Sequence, residues 1–270
     1  MSTSKKIGIV GSGVAGLATA VRLAAKGHEV IVFEKEEQLG GKMGQLNKEG
    51  YRFDTGRSPF TQPHLVEDVL ALSNSAESFN YQKQGISCEY FWGGGTVFSA
   101  FEDKAALKEE VSKIFPADQE AFMRRLKEAE EMYDLVGEIF IEKPLNKWST
   151  WWSPKVGKAF FHLPKFQINK NMHEVNEALF QDAKLTQLFD RFATYNGSNP
   201  YHAPALLNMI PHLELNQGTF YPQGGLRSIP ERLVALGKSL GVSYHTKEGV
   251  KEIQLQGKKV VGLKTDLADY

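Results

Sequence analysis

The chain has 270 residues, 32 basic and 32 acidic side chains, a formal net charge of zero, and a composition 41% hydrophobic and 24% charged. That composition belongs to a folded globular protein and excludes disorder as a whole-chain description. The even charge balance supplies no basic field, which excludes a general nucleic-acid binder.

Length allows one large domain or two of ordinary size. The only cysteine is Cys88, so no intrachain disulfide can form and a reducing compartment fits. Cys88 itself reads as a small buried or half-buried side chain rather than a redox group. No uncharged apolar run reaches the ~18 residues of a membrane span. The N-terminus runs into a strand within six residues, which leaves no room for a signal peptide. The expectation is a cytoplasmic protein, with peripheral contact at the cytoplasmic membrane left open.

The chain begins with Ile7-Gly8-Ile9-Val10, read as a strand buried on both faces. It runs into Gly11-Ser12-Gly13-Val14-Ala15-Gly16, a Gly-x-Gly-x-x-Gly turn. A helical pattern follows through Leu17, Ala20, Val21, Leu23 and Ala24, with Gly27 at the C-terminal cap position. A second strand over 29–33 ends at Glu34. Gly11 permits the tight turn, Gly13 lets the backbone approach a pyrophosphate, and Gly16 lets helix and strand pack closely. The helix N-terminus offers N–H groups and a positive dipole end to phosphates. Glu34 stands about 20 residues on, where an acid accepts hydrogen bonds from the adenosine ribose and repels a 2′-phosphate. A glycine turn without a ligand would leave this register of strand, helix, strand and acid unexplained. The fingerprint itself leaves NAD and FAD both open.

Further along, 88–101 reads as a strand, a turn at Gly93-Gly94-Gly95 and a second strand. Asp103 caps a helix over 104–115, and Pro116 separates it from a longer one. There Phe122, Leu126, Ala129, Tyr133, Val136 and Phe140 form one apolar stripe. Glu128, Glu130 and Glu131 occupy the solvated face. The segment 143–170 interleaves Trp148, Trp151, Trp152, Phe160, Phe161 and Phe166 with Lys147, Lys155, Lys158, Lys165 and Lys170. Two readings stay open. The slightly favoured one places the rings in the protein's own core with the lysines reaching outward. The other places them at a membrane interface. A helix through Leu185, Leu188, Phe189 and Phe192 stops at Asn196-Gly197, and another begins after Asn199-Pro200. His173, His202 and His212 lack metal-ligand spacing. Ile229, Leu233, Leu236 and Leu240 mark an amphipathic helix over 226–240, followed by strands over 242–244, 250–254 and 259–264 with a turn at Gln256-Gly257.

Several motifs, in order, carry a resemblance. Gly40-Gly41-Lys42 after the acid and Phe53-Asp54-Thr55-Gly56 resemble the FAD-binding start of the amine-oxidase and phytoene-desaturase superfamily. "LFDRFATYNGSNPY" and "FYPQGGLRSIPERL" are similar to segments of carotenoid desaturases. The likeness spans nearly the whole chain and points to bacterial phytoene and hydroxycarotenoid desaturases. It implies FAD rather than NAD. The candidate cofactor-binding residues are Gly11, Ser12, Gly13, Val14, Ala15, Gly16, Glu34 and Lys35, together with Gly41, Lys42, Thr55 and Gly56. Val250 joins them as a backbone contact to the adenine. Two positions depart from the pattern: Lys42 stands where the family usually has arginine, and Arg57 where carotenoid desaturases commonly have proline.

The implied fold is α/β: a doubly wound Rossmann-type FAD-binding domain with an inserted α+β substrate or cap domain. Its expected parts are 1–80 and 218–270 for the FAD-binding domain and 81–217 for the cap. Family chains run nearly twice this length and carry a Gly-Asp motif near their far end that this sequence lacks, so an N-terminal portion is expected. The implied activity is FAD-dependent desaturation of a long isoprenoid polyene by hydride transfer, with no catalytic residue assigned and no metal. Alternatives are a flavin-dependent carotenoid isomerase or saturase, an amine oxidase, or a non-enzymatic lipid carrier. Oligomeric state stays open.

Overall fold

The computed structural model describes residues 3–56, 59–73, 78–137, 139–140, 143–152, 154–162 and 167–270. Arg57, Lys165 and Phe166, and the side chains of Lys155 and Phe160, lie outside the described residues. The chain forms two compact units, one built from the residues up to Gln82 with Phe220–Tyr270, the other from Lys83–Thr219.

The first unit opens with β1 (Lys6–Val10), α1 (Val14–Ala24) and β2 (Glu29–Phe33), a parallel β-α-β turn with Ile7 opposite Val30 and Val10 opposite Phe33. Helix α1 is capped at Ala25, and the turn that follows reaches Gly27, whose φ of 84° only glycine adopts freely and whose N–H bonds the carbonyl of Ala24. The hairpin β3 (Gln45–Lys48) and β4 (Tyr51–Asp54) follows, closed by Glu49 and Gly50, both at positive φ as a type I′ turn requires. Then come α2 (His64–Leu70) and β5 (Tyr81–Lys83).

The second unit contains the hairpin β6 (Ile86–Phe91) and β7 (Val97–Phe101), then α3 (Lys104–Ile114) and α4 (Gln119–Gly137). It continues through α5 (Trp148–Trp151), α6 (Pro154–His162), α7 (Met172–Leu179) and α8 (Ala183–Asp190). Asp103 caps α3 by accepting from the Ala106 N–H at 2.8 Å, and Asn171 and Glu174 form a reciprocal capping box on α7. The chain returns through β8 (Phe220–Pro222), α9 (Ser228–Ser239), β9 (Ser243–His245) and the hairpin β10 (Val250–Gln256) with β11 (Lys259–Thr265).

The parallel sheet has the order β1-β2-β9. Against it α1 buries Leu17, Ala20 and Val21, and α9 buries Ile229, Leu233 and Leu236 into the same core as Leu17 and Val21. Each of the leucines, Ile229 and Val21 contributes roughly 1.5–3 kcal/mol. Strand β1 is not buried on both faces as its sequence suggested: Ile7 and Ile9 are half-buried and Val10 is 56% exposed. Among the described residues β1 stands at one end of the strand order, beside β2.

The core of the second unit gathers Phe98, Phe122, Phe189 and Phe192 in edge-on and tilted contacts. The stripe of α4 is buried at Phe122, Leu126, Ala129 and Val136, but Phe140 is not. The helix ends at Gly137, and Ile139 takes the buried place instead. No long helix follows Pro200; the chain makes short turns at Ala205–Met209 and His212–Asn216. Pro204 and Pro211, which lack an N–H, stand just before each of them.

The slightly favoured core placement of the 143–170 rings does not hold for Trp148, Trp152 and Phe161, which are exposed. Among the described side chains of α6, Val156 and Ala159 turn inward. Among the described residues no helix is long and apolar enough to cross a membrane. Beneath β6, Arg191 donates to Tyr90 Oη at 2.7 Å and to the buried Glu214 at 2.6 Å, and Tyr195 donates to the other oxygen of Glu214 at 2.5 Å. Burial pushes both phenols up, so they remain donors. Cys88 is half-buried, and burial raises its thiol, away from thiolate chemistry.

Candidate cofactor site

The site lies in the first unit and starts from the turn between β1 and α1. The Gly11 N–H donates to the Phe33 carbonyl at 2.8 Å, and its φ of 92° belongs to the region that favours glycine. A Cβ at Gly16 would collide with the Gly11 carbonyl oxygen, so the close approach of helix and turn requires glycine there. A Cβ at Gly13 would meet nothing within 4 Å. The backbone there is open to an incoming group. No side chain caps α1 and no acidic residue stands in its first turn, which keeps its positive end available to an anion.

Glu34 closes the turn from β2. Its Oε2 accepts the Ser12 N–H at 2.8 Å and the Ser12 hydroxyl at 2.6 Å, and its Oε1 accepts the Glu36 N–H at 3.1 Å. Burial by itself would raise the Glu34 carboxyl; these hydrogen bonds outweigh it and hold the group below the ordinary carboxylate range. The site therefore carries a fixed negative charge.

The double-glycine segment is drawn against the turn. The Gly40 N–H is shared between the Ser12 carbonyl at 3.0 Å and the Ser12 hydroxyl oxygen at 3.2 Å. A Cβ at Gly41 would stand 3.0 Å from Gly13 Cα. Beyond it, a Cβ at Gly56 would strike the Lys42 carbonyl oxygen, and the Thr55 N–H donates to the Gly44 carbonyl at 3.1 Å. Gly11 through Gly16, Glu34, Gly41, Lys42, Thr55 and Gly56 thus form one connected wall. The Lys42 side chain is exposed, as are Ala15 and Thr55, while Val14 is half-buried. Lys35 faces solvent beside Glu36, 3.7 Å from its carboxylate. Val250 opens β10, and the Glu248 N–H two residues earlier donates to the Glu34 carbonyl at 2.9 Å. That bond ties the start of β10 to the acidic end of β2.

Sequence reasoning missed the part played by three residues. Ser12 was among the expected cofactor-binding residues, but the task of its hydroxyl, which joins Glu34 to Gly40, was not foreseen. Asp54 accepts the Tyr221 hydroxyl at 2.9 Å and the Leu226 N–H at 3.2 Å, joining the Phe-Asp-Thr-Gly motif to the Tyr-Pro-x-Gly-Gly segment. The bond to Asp54 raises the Tyr221 phenol. Glu248, buried under the Glu34 loop, accepts the Thr265 hydroxyl at 2.7 Å and lies 2.9 Å from His245 Nδ1. Only the placement of Ser12 between two glycines gave a local signal. The bonds of Asp54 and Glu248 join residues that the sequence gives no reason to pair.

Known proteins resemble the chain in sequence and in fold. The chain is 41% identical over 263 residues to a 1-hydroxycarotenoid 3,4-desaturase of Flavobacterium sp. (strain P99-3), covering 97% of this chain and 54% of the relative. It is 31% identical over 254 residues to a carotenoid 3,4-desaturase of Haloarcula japonica, covering 93% of this chain and 51% of that one. These relatives bear out the resemblance to carotenoid desaturases, and the chain spans about half their length. Among solved structures it is similar to cyclohexylamine oxidase from Brevibacterium oxydans IH-35A, with a TM-score of 0.62 at 17% identity, covering 100% of this chain and 56% of that one. That likeness bears out the fold. Residues 14–269 match the model for flavin-containing amine oxidoreductases, so the expectation of FAD as cofactor holds and the chain belongs to that family.

Proposed function

We propose that this chain is part of an FAD-dependent desaturase that introduces a conjugated double bond into a long isoprenoid polyene in carotenoid biosynthesis. The observation that carries this reading is the 41% identity, running over 97% of the chain, to a 1-hydroxycarotenoid 3,4-desaturase. In this reading Gly11, Ser12, Gly13, Val14, Ala15 and Gly16 receive the pyrophosphate at the open end of α1. Glu34 accepts a ribose hydroxyl, and Lys35 and Val250 line the adenosine side. Gly41, Lys42, Thr55 and Gly56 approach the rest of the cofactor with backbone. FAD held there would supply the acceptor for a hydride from an allylic carbon of the polyene, and release of a proton from the neighbouring carbon to water would leave the new C=C bond. The protein's part is to bind and orient: Glu34 as a fixed acceptor, the glycines as open backbone, and the Lys83–Thr219 unit as the part that holds an apolar substrate.

The exposed Trp148, Trp152 and Phe161, with Lys147 and Lys158 nearby in sequence, support a place at a membrane surface, from which a polyene would be drawn. The protein is then cytoplasmic and peripheral. Liposome co-sedimentation tests this: Trp148→Ala with Trp152→Ala should shift the protein to the supernatant, and unchanged sedimentation overturns it. For the activity, the full-length protein supplied with hydroxylated and hydrocarbon carotenes should move their absorption to longer wavelength. Peroxide release from an amine without any such shift would favour the oxidase reading, and polyene binding without FAD would favour a carrier.

A further inference from the structure

The double-glycine turn of the cofactor site is held by a residue that arrives almost 190 positions later in the chain. Arg227, at the N-terminal boundary of α9, donates through Nη1 to the Leu39 carbonyl at 2.6 Å and to the Met43 carbonyl at 3.3 Å. These two carbonyls bracket Gly40, Gly41 and Lys42. Its Nε donates to Glu231 at 3.2 Å, one turn further along α9, which orients the guanidinium toward the turn. The Arg227 side chain is 16% exposed, while that of Glu231 is 61% exposed. The contact also accounts for Gly40. A Cβ there would stand 2.7 Å from Arg227 Nη1 and 3.0 Å from Pro230, and the φ of 116° disfavours any other residue.

Gly40 and Gly41 both sit at positive φ and have no side chains with which to hold the turn's shape. On its inner side the Gly40 N–H is drawn to Ser12; on its outer side the two carbonyls are drawn to Arg227. The same return segment makes a second attachment, through Tyr221 and Leu226 to Asp54. We propose that Arg227 is a positioning residue for the FAD site: it clamps the 39–43 turn against the glycine fingerprint, so that the site becomes competent only once the segment after the 83–219 unit has docked. This rests on the reading that FAD binds at the Gly11–Gly16 turn, and it adds a residue outside that turn. Arginine is needed because one nitrogen must reach two carbonyls while the fork is held from behind by Glu231; an ammonium has no second arm for that hold.

The test compares the protein with Arg227→Met and Arg227→Lys by amide hydrogen exchange of the 39–43 segment without flavin, by FAD titration, and by thermal melting. The expected result is faster exchange confined to 39–43 and FAD affinity weaker by roughly ten- to a hundredfold in Arg227→Met. Arg227→Lys should recover part of both, and the melting temperature of the flavin-free protein should stay within a few degrees. Unchanged exchange at 39–43 overturns the clamp. Faster exchange with unchanged FAD affinity overturns its role in cofactor binding. A drop in stability with exchange spread over the whole first unit makes Arg227 a general structural residue and overturns the proposal as well. Failure of the unsubstituted protein to bind FAD refutes the cofactor reading instead, and the exchange measurement still decides the clamp.

Discussion

Replacing Glu34 with glutamine tests the centre of the site, because the two side chains have the same shape and differ in what they can accept. The carboxylate serves three donors: the N–H and hydroxyl of Ser12 on Oε2 and the N–H of Glu36 on Oε1. A glutamine has one oxygen and one NH2 group. Turned the better way, its oxygen keeps the two Ser12 donors without the charge, and its NH2 faces the Glu36 N–H, donor against donor. One charge-assisted bond is lost and two are weakened at a site only 8% exposed, a cost of about 2–3 kcal/mol. The cost depends on pH. The folded carboxyl lies below its ordinary value of 4.5, so its contribution is fully present above that value and is lost as pH falls through the lowered folded value. Urea denaturation of both proteins should therefore give a difference of about 2–3 kcal/mol at pH 7 that shrinks steadily below pH ~4.5. A difference under about 0.5 kcal/mol at pH 7, or one undiminished at pH 3, would show that the Ser12–Glu34 network does not carry the stability argued here. FAD titration at pH 7 reads the second consequence, since the variant also presents a donor where a ribose hydroxyl needs an acceptor.

Three further outcomes follow from the packing. Gly16→Ala drives a methyl into the Gly11 carbonyl oxygen, so the first unit should lose more than about 3 kcal/mol and FAD binding should disappear; a normal melting temperature would refute the close approach. In the second unit the buried Asp118 accepts the N–H groups of Gln181 and Asp182, each at 2.8 Å, and Asp118→Ala should cost about 2–4 kcal/mol by leaving both unpaired; a loss below 0.5 kcal/mol would contradict it. Trp152→Ala, at an exposed ring, should change stability by less than about 0.5 kcal/mol, and a large loss in denaturant would mean that the ring is packed after all.

What was legible in the sequence was what repeats or punctuates locally. Leu17, Ala20 and Val21 mark a buried helix face by spacing alone, and the structure buries all three. Gly27, Gly197 and Gly241, all at positive φ, sit where elements stop. The misreadings share one cause. A run such as Ile7-Gly8-Ile9-Val10 states that a strand is apolar, but whether both faces are covered depends on neighbours the run does not encode. The aromatic segment likewise reads as core or as surface from composition alone, and the exposure of Trp148, Trp152 and Phe161 beside the buried Val156 and Ala159 separates the two. Short elements such as α2 and the β3–β4 hairpin escaped because four to seven residues give a period too little length to stand out.

The candidate site divides along the same line. Its nucleotide end is encoded in one stretch, where strand, glycine turn, helix and acid follow one another and each residue's task can be read from its place. Its supports come from elsewhere: Arg227 and Tyr221 from the return segment, Glu248 and Thr265 from the last strands. These residues hold backbone carbonyls and carboxylates of the motif residues, and a hydrogen bond across the fold imposes no spacing rule on the sequence. A motif match over the first forty residues therefore guarantees a turn of the right composition, not one of the right shape. Shape is set by whether the distant residues can still make their bonds. An arginine replaced at position 227 would leave the fingerprint intact by every sequence criterion while releasing the turn that Gly40 was kept small to accommodate. The clamp proposed for Arg227 thus joins two chain segments separated in sequence by Lys83–Thr219, through its bonds to the Leu39 and Met43 carbonyls.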